Sequence, residues 1–130
     1  MRYDEFLARV RERGEYADLE ETEQVTGAVL GVIARRLTAR EVSDLAAQLP
    51  DELGRAAGAG EEWEAESYGV EEFLSRVAER TGARPRTAEW DASAVLSTLA
   101  DTVSGGELNQ IITQLPSGFA PLFGKPELSD

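Results

Sequence analysis

The chain has 130 residues, 42% apolar and 29% charged, and a formal net charge of −12 at pH 7. That balance belongs to a globular chain with room for one ordinary core, not to a disordered one. It has no cysteine and no histidine, which excludes disulfides, thiolate or imidazole metal sites, Glu-x-x-His di-iron sites and Ser-His or Cys-His catalytic pairs.

The acidic surface repels phosphate backbones, so no nucleic acid is expected as a partner. No apolar run approaches the ~18 residues of a membrane span. The opening MRYDEFLARV is acidic and amphipathic where a secretory leader is basic and then continuously apolar. A cytoplasmic location is expected.

Residues 3–13 set Tyr3, Phe6, Leu7 and Val10 on one helical face, with Gly14 as a stop. After a turn at Gly14–Asp18, a second helix is expected over about Glu20–Leu37, with Val25, Ala28, Val29, Val32, Ile33 and Leu37 inward. A third begins at Thr38, which with Glu41 spells a capping box, and ends at Leu49-Pro50. Its inward positions are Val42, Leu45, Ala46 and Leu49. A short helical segment, Asp51–Ala57, follows the proline, which is tolerated in a first turn.

The whole order then recurs. Glu72, Phe73, Leu74, Arg76, Val77, Glu79 and Arg80 match Glu5, Phe6, Leu7, Arg9, Val10, Glu12 and Arg13 at an offset of 67. Beyond a turn at Gly82–Arg86, which Pro85 marks as a break, the offset is 66. There Ala88–Val103 is the counterpart of the second helix, with Ala92, Val95, Leu96, Leu99 and Val103 inward. Ser104 and Glu107 open the counterpart of the third, with Leu108, Ile111, Ile112 and Leu115 inward before Pro116. Residues 107–116, ELNQIITQLP, thus echo residues 41–50, EVSDLAAQLP. Ser117–Phe123 closes the copy, with Phe119, Leu122 and Phe123 assigned to the core. Residues 58–69, GAGEEWEAESYG, read as an acidic linker between glycines. The tail after Gly124 is expected to fray.

The expected fold is therefore all-α. It is a helical bundle of two pseudo-twofold-related three-to-four-helix repeats, 3–57 and 70–123, packed as one domain over 1–130. A repeat of about 55 residues buries too little surface to stand comfortably alone.

The doubled order E-F-L-x-R-V, A-V-L, E-x₆-Q-L-P resembles the uncharacterised bacterial family known as domain of unknown function 2267, over about Tyr3–Phe123. The resemblance implies an all-helical fold and small cytoplasmic proteins, sometimes joined to nucleotide-sensing regulatory modules. It implies no activity and no catalytic residues.

Residues common to both copies are read as scaffold. Glu5 with Arg9 and Glu72 with Arg76 are i,i+4 pairs worth a few tenths of a kcal/mol, and Gln48 and Gln114 are expected to bond freed carbonyls at the helix ends. Residues that differ between copies are the candidates for binding. Arg35, Arg36 and Arg40 form the one dense basic spot, where the second copy has Asp101, Thr102 and Gly106. They suit an anion or an acidic partner, or simply the negative end of the long helix. Trp90 stands where the first copy has Gln24, off the inward stripe, and Trp63 lies in the linker. Either the linker folds back so that the tryptophans help cover each other, or one is an exposed anchor.

Other chemistry finds no support. The helix after the arginine turn offers Glu41 and Asp44, unlike a DNA-recognition helix. Gly118 to Lys125-Pro126 has the wrong spacing for a phosphate loop. The carboxylates of Glu20–Glu23 and Glu61–Glu66 lack the alternation of a calcium loop. No catalytic residue, metal or cofactor is assigned. The leading expectation is a non-enzymatic interaction or regulatory domain recognising a protein partner or a second copy of itself as a homodimer. The alternative is a small-ligand binder or minor enzyme using a cleft between the repeats.

Overall fold

The computed structural model describes residues 1–124. Among them the secondary structure is entirely helical, in a bundle: α1 (Tyr3–Gly14), α2 (Leu19–Ala34), α3 (Ala39–Ala46), α4 (Asp51–Ala56), α5 (Val70–Thr81), α6 (Pro85–Thr102), α7 (Gly105–Thr113) and a 3₁₀ turn over Ala120–Phe123. The fraying expected of the tail after Gly124 falls outside the described residues. No helix among those described is long and apolar enough to cross a membrane.

The long helices α2 and α6 form the centre, and the helix that opens each repeat packs across the repeat boundary. Helix α1 lies against α6 as well as α2, and α5 against α2 as well as α6. Being covered on more than one side, α2 buries more than an amphipathic stripe, and Thr26, Leu30 and Ala34 join the expected apolar face. One apolar cluster runs from Phe6 and Val10 through Val29 and Leu96 to Phe123. Phe73 and Phe119 meet in it at 5.3 Å between ring centroids, Phe119, Leu122 and Phe123 are buried as expected, and Leu53 is buried too.

Local details correct several sequence expectations. Pro85 does not break a turn; it occupies the first turn of α6, which therefore starts earlier than Ala88. At Thr38 both halves of the capping box form, at 2.8 and 3.1 Å. At Ser104 only the side-chain half forms, because the Ser104 N–H donates instead to Gln48 Oε1 at 2.8 Å. Gln48 thus bonds across the repeats instead of to its own helix end, and Gln114 is exposed. The Glu72–Arg76 pair is made at 3.0 Å, whereas Glu5 accepts from the Arg2 N–H at 3.1 Å. Gly14 ends α1, but the left-handed capping residue is Glu15.

Candidate functional site

The C-terminal end of α2 gathers three of the five candidate binding residues. A helix end leaves carbonyls without partners, and here the acidic linker satisfies them. Tyr68 O–H donates to Val32 O at 2.7 Å, Glu66 N–H to Arg35 O at 2.8 Å, and Trp63 Nε1–H to Leu37 O at 3.0 Å. Arg36 returns the favour, donating to Tyr68 O at 2.7 Å and Glu66 O at 2.9 Å. The Arg35 guanidinium stacks over Trp63 at 4.2 Å, and Arg76 stacks over Tyr68 at 4.1 Å while pairing with Glu66 at 2.9 Å. Residues 61–69 are therefore a strap fastened across α2, with Arg36 and Trp63 engaged in fastening it. Arg40 is exposed on α3, apart from this network.

Trp90 lies elsewhere. It is 51% exposed, yet its Nε1–H donates to Gly14 O at 2.9 Å, which fixes the indole at the junction of α1 and α6. The linker does fold back, but the two tryptophans do not cover each other. They mark opposite ends of α2, and Glu21 and Arg35 alone are separated by roughly 21 Å along an α-helix.

Trp90 borders a cleft of about 340 Å³ that also takes in Glu15, Tyr16, Glu21 and Asp91. Tyr16 is held there from several directions. Its N–H caps α1 at Arg11 O, 3.1 Å. Arg11 donates to Tyr16 O at 3.2 Å and Ala17 O at 2.7 Å. The ring packs so closely on Gly14 that any Cβ there would collide with it. The phenol O–H donates to Asp91 Oδ1 at 2.6 Å. Asp91 is only 3% exposed. Burial pushes its carboxyl above the usual range and nearby Glu21 adds to the rise, while the Tyr16 bond opposes it. Burial likewise pushes the Tyr16 phenol up, with the bond to Asp91 and its charge acting in the same direction.

Both sequence copies contribute to the lining, and at equivalent positions. Gly14 faces the cleft with Thr81, Tyr16 with Ala83, Glu21 with Thr87, Gln24 with Trp90, and Val25 with Asp91. The lining holds the carboxyl groups of Glu15, Glu21 and Asp91 and the rings of Tyr16 and Trp90, with no basic side chain. Carboxylates beside aromatic faces favour a cation, and a desolvated setting strengthens the attraction. The carboxyl groups sit on different walls, and among the described residues no cluster of three or more acidic side chains converges on a metal position. The arrangement suits an organic cation.

Sequence reasoning found Trp90, weighed Glu21 only within the Glu20–Glu23 run, and passed over Glu15, Tyr16 and Asp91. A signal for two of them was present. Asp91 occupies an inward position that is Val25 in the first copy, and Glu15 occupies a turn position that is Gly82 in the second.

Fold and cleft together define an all-helical bundle with an acidic, aromatic-lined recess where its two sequence repeats meet. Residues 3–122 match the family described as "Uncharacterized conserved protein (DUF2267)", and the chain belongs to that family. No protein of curated function matches the sequence.

Proposed function

We propose that the protein is a non-catalytic, cytoplasmic binding domain that recognises a basic segment of a partner protein, seating a lysine or arginine side chain in the cleft beside Trp90. One observation carries this reading: two residues that the fold accommodates at a cost line the same recess. Glu15 is the one non-glycine residue with positive φ (56°) among those described, where the other copy has Gly82 at 77°. Asp91 is a buried carboxyl where the other copy has valine. Strained or desolvated residues concentrate where ligands bind. A net charge of −12 also favours a basic partner over a second copy of the chain, because like-charged copies repel. A small organic cation is the second reading, favoured by the cleft's volume of about 340 Å³.

The two tryptophans make the test direct. With Trp63→Phe, Trp90 becomes the sole indole, and a peptide carrying lysine and arginine is titrated against its emission. The expected result is a saturable change that weakens with salt, and that a peptide with neutral glutamine at those positions does not give. Trp90→Ala, read by calorimetry, is expected to cost about 2 kcal/mol, roughly thirty-fold in affinity. Equal responses to basic and neutral peptides would refute the reading. Arginine amide binding as tightly as the peptide would instead select the small cation.

A further inference from the structure

Arg80 and Arg13 occupy the same place in the two sequence copies, and their surroundings differ in one decisive respect. Arg13, on α1, reaches across to α6. It donates to Ser97 Oγ at 3.0 Å and Thr98 Oγ1 at 3.2 Å, and pairs with Asp101. The equivalent positions on α2 are Gly31, Val32 and Arg35. Arg80, on α5, reaches across to α2 in the same way, and its guanidinium fills the space that a Cβ on Gly31 would need. Where Arg13 finds two hydroxyls and a carboxylate, the positions that α2 and its C-terminal end offer on the side of Arg80 are a glycine, a valine and a second arginine.

The result is an unbalanced pair of cations in an otherwise acidic protein. Among the described residues, Arg80 makes no ion pair. Arg35 has only Glu61, at 3.9 Å with no closer bond, and presents one face to Trp63. Both line a cavity of about 500 Å³ on the flank of α2, together with Arg76, Glu66, Glu72 and Glu79. Glu66 and Glu72 are both engaged by Arg76, at 2.9 and 3.0 Å. Glu79 is the remaining acidic neighbour, and it is exposed.

We propose that Arg35 and Arg80 form a binding site for a small phosphate-bearing ligand, which takes the place that Asp101 fills in the other copy. Each guanidinium presents a planar fork of donors. The two oxygens of a carboxylate satisfy one fork, whereas a tetrahedral phosphate has oxygens for two. A nucleic acid does not fit, because the net charge of −12 opposes a polyanion over the surrounding surface. This site lies at the other end of α2 from the acidic cleft and does not depend on it.

Trp63 is the reporter, because Arg35 stacks on it. In Trp90→Phe, inorganic phosphate is titrated at fixed ionic strength against chloride and acetate, with fold checked by circular dichroism. The expected result is a saturable change in Trp63 emission with phosphate alone. Arg80→Gln, which leaves the Arg35–Trp63 stack in place, is expected to weaken it about tenfold or more. Arg35→Asp supplies the missing carboxylate. It is expected to abolish the stabilisation that phosphate gives the unsubstituted chain. A phosphate response no larger than that of acetate overturns the proposal, as does binding that survives Arg80→Gln undiminished. If Arg35→Asp fails to fold, Arg35→Gln in the same melting assay carries the test.

Discussion

The turn after α1 and the turn after α5 solve one geometric problem in two ways. Each helix must end in a left-handed residue before the chain reverses into a long central helix. After α5 that residue is Gly82, for which the conformation carries no steric penalty, and Ala83 and Arg84 lead directly to Pro85. After α1 it is Glu15, and the turn beyond it is longer and pinned by Arg11. A left-handed glutamate is more costly than a glycine, so the geometry alone does not account for it. The core shows the converse exchange, with Val25 in the first copy and Asp91 in the second. One costly residue thus belongs to each copy, and the two meet in one cleft because α1 packs across onto α6. At Glu15 and Asp91, where the copies disagree at a cost, packing alone does not explain the residue.

The strongest challenge to that comparison is to ask whether the copies share one core at all. Phe6 and Phe73 are equivalent and both fully buried. Phe6→Ala and Phe73→Ala are each expected to destabilise the protein by about 3–5 kcal/mol, and calorimetry should show a single transition shifted in both variants. Two transitions, each moved by one substitution, would break the molecule into independent halves and remove the reason for reading the cleft as a shared feature.

Most of the bundle was legible because it is local. Helical periodicity gave the buried faces, and the hydroxyl–glutamate spacing gave the caps at Thr38 and Ser104. What failed depended on distant partners. Nothing in the spacing around Ser104 shows that Gln48 will take its N–H. That a glycine-flanked acidic run folds back could be expected, but not where it fastens, until Val32, Arg35 and Leu37 are known to need donors for their carbonyls. Trp90 stood out because an indole off the inward stripe is conspicuous. Asp91 did not, since in a chain with 25 acidic residues one more reads as solvated surface. Only its alignment with Val25 reveals a carboxyl in the core.

Asp91 offers a sharper test, of intermediate size. Replacing the hydrogen-bonded pair with apolar equivalents, Tyr16→Phe with Asp91→Val, is expected to stabilise the fold at pH 7 by about 2 kcal/mol while abolishing recognition of a basic peptide. The pH dependence has a definite sign. The folded state keeps the Asp91 proton to higher pH than the unfolded chain, whose aspartates titrate near ~3.9. Between those values the folded protein binds more protons, so this residue's contribution to stability falls as pH rises, then levels off above the folded value. Melting curves of the unsubstituted protein and Asp91→Asn should therefore diverge as pH increases from about 3.9. Convergence with rising pH would show that Asp91 is better solvated than its burial indicates. A bound cation should counter the shift, so peptide affinity should fall as Asp91 takes up its proton.

The smallest expected effect separates strain from ordinary turn chemistry. Holding a non-glycine residue in the left-handed region costs about 1–2 kcal/mol. Introducing glycine releases that strain but increases unfolded-chain entropy, which offsets about 0.4–1 kcal/mol of the gain. Glu15→Gly should therefore stabilise the protein by about 1 kcal/mol, a rise of about 4 °C in melting temperature for a chain of this size. The reciprocal change, Gly82→Glu, should destabilise by a similar amount, since nothing lies within 4 Å of a Cβ there and only the backbone conformation resists the side chain. Binding should respond differently. Glu15→Gly removes one carboxylate from the cleft and should weaken the basic peptide, whereas Gly82→Glu leaves those carboxylates in place. Calorimetric melts and the Trp90 titration on both variants decide the matter. A stabilised Glu15→Gly that still binds at full strength would mean that the glutamate is an accident of the turn. A destabilised one would mean that the side chain supports the fold, and the contrast between the two turns would lose its functional meaning.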